Sequence, residues 1–505
     1  MELELATPFQ VMTGAVHGVE AIPITIEATL HADDEKPRIL GLVDAGVRES
    51  FHRVLGAFAA QDLPYPRGCP TLNFTPARHR KSGSGFDLPM ALALAGAAGT
   101  VPRAQVQQLA AYGELELTGR VQPVPGALAI AIAVRARGVT RMLVAPADAP
   151  RVALVPGLAA LPVRDLAEAL AHLTGKCPIA PSAPDPGLAR ADTPTADLAD
   201  VRGHETPKRA LLVAAAGGHN LLLVGPPGSG KTALAQRIGG LLPRLDRGEA
   251  LEILRIHTSQ SQLRPAPLGR PLRAPHHTSS TASLLGGGSE PRPGEVTLAH
   301  HGVLFLDELA EFRREALEAL RQPLEDGRVT IGRARAVVTM PAEFLLLAAM
   351  NPCPCGYLGH PTRPCVCTPP QRQRYLDRIS GPLLDRLDLQ VEVPALPPTT
   401  LRAPPDPQWS TAVLAERVAG AISRQRRRRR RNARLADREL ELAVRPGETV
   451  LRLLDELLHQ RRWSARTRVR LLRIARTLAD LDDRDEVQAE DLLEAAELRS
   501  YAGRM

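Results

Sequence analysis

Aromatic side chains are scarce, at 3% of 505 residues. That excludes a protein that reads single-stranded nucleic acid through rows of stacked rings. Lysine is nearly absent, so arginine supplies almost all the positive charge behind a net of +8 (63 − 55). In such a chain a single arginine run says little by itself about a binding surface. No apolar stretch approaches the roughly 20 residues that span a bilayer. The N-terminus, MELELATPFQ, lacks the basic start and apolar core of a secretory leader. Six cysteines are too few for a disulfide scaffold at this length. A cytoplasmic protein without membrane association is therefore expected. What remains, 44% hydrophobic and 23% charged residues, is the composition of an ordinary globular chain. The length suggests about three domains.

Composition breaks twice. Residues 177–199 are rich in Pro, Ala and Asp without periodicity, and residues 394–410 (PALPPTTLRAPPDPQWS) repeat that character, so both read as linkers. They leave blocks 1–176, 200–393 and 411–505. The first mixes strand-like runs (AIPITIEATL) with Ala-rich helical ones (LPMALALAGAAG). The second alternates apolar strands and helices, which predicts a parallel sheet covered by helices. The third is helical: Leu471, Ile474, Ala475 and Leu478 follow i, i+3, i+4, i+7.

The strongest signal is NLLLVGPPGSGKTALAQRI. A short apolar strand, Asn220–Val224, leads into Gly225–Thr232, which matches G-x-x-x-x-G-K-S/T, and a helix follows. Gly225, Pro226, Pro227, Gly228, Ser229 and Gly230 form a loop whose N–H groups can turn inward on a phosphate. Lys231 would reach the β- and γ-phosphates and Thr232 would ligate Mg²⁺. Downstream, HGVLFLDELAEF sets Asp307 and Glu308 at the C-terminal edge of a buried strand, where open α/β sheets bind ligands. Asp307 would hold the Mg²⁺ shell and Glu308 would polarise the attacking water. A third buried strand, EFLLLAAMN, ends at Asn351, a neutral polar group suited to orienting that water.

Together DVRGHETPKRALLVAAAGGHNLLLVGPPGSGKT, RAPHHTSSTASLLGGGSEPRPGEVTLAHHGVLFLDE, LRQPLEDGRVTI, AAMNPCPCG and ISGPLLDRLDLQVEVP resemble the ComM/YifB family. These are bacterial AAA+ ATPases related to the motor subunit of magnesium chelatase. The resemblance covers nearly the whole chain. It implies a P-loop AAA+ parallel-sheet core, a helical lid of the magnesium-chelatase C-terminal type over 411–505, and a homo-oligomeric ring of six. It also implies an ATP-driven DNA helicase that moves branch points during natural transformation. Carried over residue by residue, Lys231 and Thr232 are Walker A, Asp307 and Glu308 Walker B, and Asn351 sensor 1. Arg386 is similar to the arginine finger serving the neighbouring subunit, and Arg466 to sensor 2 reaching from the lid. Guanidinium groups suit both roles because they spread charge off the transferring phosphoryl. DVRGHE resembles the segment packed on adenine, with His204 where the family more often has Gln. Residues 273–288 look like an insert in helix 2. Residues 327–340 look like a β-hairpin before sensor 1, carrying Arg328, Arg333 and Arg335 toward DNA phosphates or simply toward solvent.

In the first block, KSGSGFDLPMALALAG and GELELTGRVQPVPGALAIAIAVRARGVTRMLVAP resemble the Lon-protease domain, an α+β fold. The protease's serine position falls on Gly85, with Ser84 one residue early, and its lysine position falls on Ala129 and Ile130. Without a lysine nothing deprotonates a serine there, so a protease-like domain without protease chemistry is expected.

Four of the six cysteines, Cys353, Cys355, Cys365 and Cys367, follow Asn351 at C-x-C-x9-C-x-C spacing. They suit a tetrahedral Zn²⁺ site, with His360 able to replace one thiolate. Free thiols or a redox switch are the alternatives. Arg426–Arg431 are six consecutive arginines. Residues 401–476 carry 20 Arg against 8 acidic residues, and residues 477–505 carry 3 against 9. The run suits a phosphate backbone or a solvated helix. Two rivals to a DNA motor stay open: a chelatase-type motor working through a metal-inserting partner, and a protein-remodelling ATPase.

Overall fold

The computed structural model describes residues 7–31, 36–64, 67–185, 196–259, 269–288, 291–333, 336–499 and 501. They fall into two compact units. The first lies within Met1–Ala191, Asp246–Leu268 and Glu290–Arg292, the second within Asp192–Leu245, Gly269–Ser289 and Pro293–Met505. Among the described residues, no helix is long and apolar enough to cross a membrane.

The first unit is a seven-stranded mixed sheet. Its order is Arg38–Leu40, Cys69–Thr75, Glu20–His31, Phe9–His17, Leu109–Tyr112, Arg141–Val144 and Ala159–Pro162. The run read as strand-like becomes Glu20–His31. Its alternation puts Ile24, Ile26 and Ala28 in the core, as a period of two requires. LPMALALAGAAG becomes the helix Asp87–Ala97, buried at all but its last position. A helix apolar all round is one enclosed on every side. Gly96 is small because the Phe9 ring lies where a Cβ would go, 2.2 Å away.

The second unit is built on a five-stranded parallel sheet. Its order is Leu272–Arg273, Val303–Leu306, Leu345–Met350, Leu221–Val224 and Leu389–Glu392. Every residue of the three central strands is buried, as a sheet covered on both faces demands. Five longer helices follow in the same unit: Thr411–Arg427, Asp437–Val444, Glu448–Gln460, Ala465–Leu481 and Ala489–Glu497. Leu471, Ile474, Ala475 and Leu478 are fully buried, so the helical periodicity marks the packed face.

The segment 394–410 is more ordered than its composition suggests. It holds the short turns Pro398–Leu401 and Pro407–Trp409. Asp197 fixes its end, accepting from Thr411 N at 2.7 Å and Thr411 Oγ1 at 2.9 Å. Part of the other proline-rich segment, residues 186–195, lies outside the described residues.

Candidate active site

The register of the central strands decides which side chains meet. Val224 stands opposite Met350 and Leu306 opposite Ala348. The residues that follow, Gly225, Asp307 and Asn351, therefore emerge along one edge. Gly225 N donates to Met350 O at 3.2 Å. A Cβ on Gly225 would sit 2.1 Å from Val393 O, so only glycine fits. The chain turns into the helix Lys231–Gln236 at Gly230, whose φ of 90° is left-handed.

Lys231 is buried, and its Nζ donates to Gly225 O at 2.7 Å, Pro226 O at 2.8 Å and Asn351 Oδ1 at 3.2 Å. Burial pushes its ammonium below the ordinary lysine value, against the opposing charges of Asp307 and Glu308. Thr232 Oγ1 donates to Asp307 Oδ2 at 2.7 Å, and Glu308 N donates to Asp307 Oδ1 at 3.0 Å. Ser229 Oγ and His204 Nδ1 are buried without a hydrogen-bond partner. His204 sits against the loop, its pKa pushed down by burial with the Ser229 backbone opposing. An ammonium hydrogen-bonded among the described residues to neutral oxygens, and an orphaned hydroxyl, fit a polyphosphate. A threonine hydroxyl beside an aspartate is the hard-oxygen pair that suits Mg²⁺.

The two sequence-assigned arginines bond to other groups of this chain. Arg386 donates to Pro382 O at 3.0 Å and pairs with Glu325. Burial, then the charges of Arg321, Arg470 and Arg466, push its guanidinium below the ordinary value. Arg466 is 73% exposed and sits 3.7 Å from Asp385 Oδ2. Arg470, unremarked in the sequence, reaches Asp385 at 3.5 Å and Asp388 at 3.6 Å. Among the described residues no hydrogen bond or ion pair joins Arg386 or Arg466 to the phosphate loop.

The four cysteine sulfurs converge within 4.8 Å of one another. Cys353 Sγ is 3.4 Å from Cys355 Sγ and 3.6 Å from Cys365 Sγ, and Cys355 N donates to Cys367 Sγ at 3.3 Å. A tetrahedron with Zn–S bonds of ~2.3 Å has edges of about 3.8 Å, so the cluster fits Zn²⁺. His360 is outside it, its Nδ1 accepting from Thr362 N and Arg363 N at 3.2 and 3.1 Å. The loop touches the phosphate cradle: a Cβ on Gly356 would lie 2.6 Å from Pro227 Cδ.

The hairpin before Asn351 is formed by Arg328–Arg333 and Ala336–Pro341 in antiparallel register. Val329, Ile331, Val338 and Met340 are buried and Arg328 is exposed. Arg335 and the side chain of Arg333 lie outside the described residues. The arginine run is divided by packing. Arg428 binds buried Asp480, Arg431 donates to Ala216 O at 3.3 Å, and Arg426, Arg427, Arg429 and Arg430 stay exposed. Arg424 and fully buried Arg476 also pair with Asp480, so the acidic C-terminal stretch neutralises part of the basic one.

In the first unit, Ser84 Oγ donates to Glu114. Lys81 is buried and directs its ammonium to Gly41 O at 2.8 Å and Pro76 O at 2.5 Å. Gly85 lies under the Tyr112 ring, which a Cβ would approach to 2.2 Å. The helix Ala127–Arg135 holds Ala129 and Ile130 in the core.

One contact went unread in the sequence. His277 Nδ1 lies 3.0 Å from Glu308 Oε2. Its signal was the histidine pair ending RAPHH, which gains meaning once Leu272–Arg273 is seen as the strand beside Val303–Leu306.

Three family models match the chain: "Subunit ChlI of Mg-chelatase" over residues 26–148, "Magnesium chelatase, subunit ChlI" over 197–401, and "Magnesium chelatase, subunit ChlI C-terminal" over 408–499. A Salmonella typhimurium protein known as uncharacterized protein YifB is 41% identical over 97% of this chain and 96% of its own length. Competence protein ComM of Haemophilus influenzae is 38% identical over 97% of each chain. Lon protease 2 of Bacillus subtilis is 28% identical over 144 residues, 27% of this chain and 26% of its own.

Proposed function

The chain belongs to the ComM/YifB family of magnesium-chelatase-like AAA+ ATPases, and from that premise we propose that it is an ATP-hydrolysing ring motor acting on DNA. Branch migration during transformation or recombination is the activity proposed. The observation that carries the ATPase is the convergence of Lys231, Thr232, Asp307, Glu308 and Asn351 on one edge of the parallel sheet. Lys231 and the loop N–H groups bind the β- and γ-phosphates. Glu308 accepts the proton of the attacking water, and Asn351 orients that water. Mg²⁺, held by Thr232 and Asp307, would neutralise charge on the phosphate oxygens.

Among the described residues Arg386 pairs with Glu325 and Arg466 with Asp385, and neither bonds to the phosphate loop of its own chain. Both are proposed to serve a neighbouring subunit's nucleotide in a hexameric ring, spreading charge off the phosphoryl group. Cys353, Cys355, Cys365 and Cys367 would hold Zn²⁺ as a staple that stiffens the loop on Pro227.

The DNA reading is supported by the Haemophilus relative, whose name places it in competence. The exposed Arg328, Arg426, Arg427, Arg429 and Arg430 suit a phosphate backbone. A cytoplasmic location accompanies it. A second reading, a chelatase-type motor acting through a partner protein, is favoured by the matched family descriptions. The test is ATP-driven movement of a labelled three-strand junction by wild type and Lys231→Ala. Movement lost in the variant establishes the DNA motor. No movement, with ATPase that DNA fails to stimulate, favours the partner-protein reading.

A further inference from the structure

The turn that carries Arg386 has an acid on each side of it, Asp385 directly before and Asp388 two residues after. One side chain answers both. Arg470 holds its Nη1 3.5 Å from Asp385 Oδ1 and its Nε 3.6 Å from Asp388 Oδ1. It lies on the helix Ala465–Leu481, four positions after Arg466 and so on the same face. Arg466 Nη1 stands 3.7 Å from the other oxygen of Asp385. A third contact joins this helix to the turn. Thr477 Oγ1 lies 2.8 Å from His219 Nε2, and His219 Nδ1 lies 3.5 Å from Asp388 Oδ2. The backbone of the turn is braced on the sheet as well. Asn220 Nδ2 donates to Arg386 O at 3.0 Å, while its Oδ1 accepts from Leu346 N at 2.9 Å.

Arg470 is 12% exposed and Asp388 14%, against 73% for Arg466, so the bridge is shielded from solvent and holds one geometry. It also answers a charge problem. Carboxylates left without a cation attract the nearest guanidinium, and for Asp385 and Asp388 that would include Arg386 in the same turn. We propose that Arg470 is a positioning residue for hydrolysis at the neighbouring subunit: by bridging Asp385 and Asp388 it fixes the turn that presents Arg386. The inference rests on the reading of Arg386 as serving a neighbour's nucleotide. It makes the helix bearing Arg466 and the turn bearing Arg386 move together. Turnover next door, rather than nucleotide binding at home, depends on Arg470.

The test is steady-state ATP hydrolysis by full-length Arg470→Ala, Asp385→Asn and Arg386→Ala, each alone and each mixed with Lys231→Ala. In Arg470→Ala, kcat falls about tenfold and KM for ATP stays within about twofold. Mixing with Lys231→Ala, whose own turn is intact, recovers part of the activity, as it does for Arg386→Ala. A defect confined to the fold or to the variant's own nucleotide site would not be repaired by a partner chain. Asp385→Asn removes one end of the bridge at a site 37% exposed, and the same pattern is expected of it. If Arg386→Ala turns over like wild type, or is not recovered on mixing, the reading of Arg386 fails and takes the inference with it. If that control behaves as expected, the inference alone is overturned by unchanged or raised kcat in Arg470→Ala, by a rise in KM, by no recovery on mixing, or by wild-type turnover in Asp385→Asn. Should Arg470→Ala show no folded state in thermal melting, Asp385→Asn decides by the same criteria.

Discussion

Thr232 and Asp307 stand 75 positions apart and share a hydrogen bond of 2.7 Å, hydroxyl to carboxylate. Thr232 lies at the start of the helix that follows the phosphate loop, and Asp307 directly follows the buried strand Val303–Leu306, so the contact depends on the sheet order. Thr232→Ala and Asp307→Asn should each cut ATP hydrolysis by about a hundredfold and raise the Mg²⁺ concentration needed for half-maximal rate. The double variant should be little worse than either single one, because partners in one site are not additive. Mg²⁺ titrations of the four proteins decide it. Independent, multiplying losses would show that the two side chains do not share a ligand.

Arg386 and Arg466 lend themselves to a mixing experiment. Lys231→Ala, Arg386→Ala and Arg466→Ala should each be inactive alone. Mixing Lys231→Ala with either arginine variant should restore part of the ATPase, because a ring containing both kinds of subunit includes complete sites. Recovery with Arg386→Ala but not with Arg466→Ala would place Arg466 on its own chain's nucleotide.

The cysteine cluster predicts one zinc ion per chain by elemental analysis of protein purified without chelator. Cys353→Ser and Cys365→Ser should lose the metal. They should also weaken ATP binding, because the loop rests on Pro227 through Gly356. His360→Ala should keep its zinc. Metal-free wild-type protein with full ATP affinity would remove the staple from the account.

Asp388 gives a pH signature. Burial by itself pushes its carboxyl up, but the hydrogen bond and charge of His219, with Arg470 and Arg499, hold it below the ordinary 3.8. A depressed folded value stabilises the protein above the unfolded value, and the gain is lost as pH falls through the folded one. Asp388→Asn should therefore unfold at a lower temperature than wild type at neutral pH. The gap should close as pH drops below about 4. A gap independent of pH down to 3 would assign the effect to packing.

In the first unit, Gly85→Ser should not create a peptidase. The new Cβ collides with Tyr112, whose hydroxyl is tied to Pro125 O at 3.1 Å. Overpacking of this kind costs about 1–3 kcal/mol. A lowered melting temperature without casein hydrolysis is expected. Hydrolysis abolished by Ser84→Ala in the parent chain would contradict the inert reading of this domain.

Much was written in local sequence. The phosphate loop is contiguous, so Gly225–Thr232 carries its own spacing, and the apolar strands before Asp307 and Asn351 announce buried parallel strands by composition alone. The cysteine spacing likewise named its four members. Sheet order and register were not local. They placed Asn351 on Lys231, Thr232 on Asp307 and His277 on Glu308, because only pairing between distant strands fixes which ends are neighbours. Charge was the least legible. Six consecutive arginines read as a phosphate-binding run or a solvated helix, yet the fold turns Arg428 and Arg431 inward to Asp480 and a helix-end carbonyl and leaves the other four exposed. A buried carboxylate must be compensated by whichever cations the packing brings near, and that assignment exists only in three dimensions.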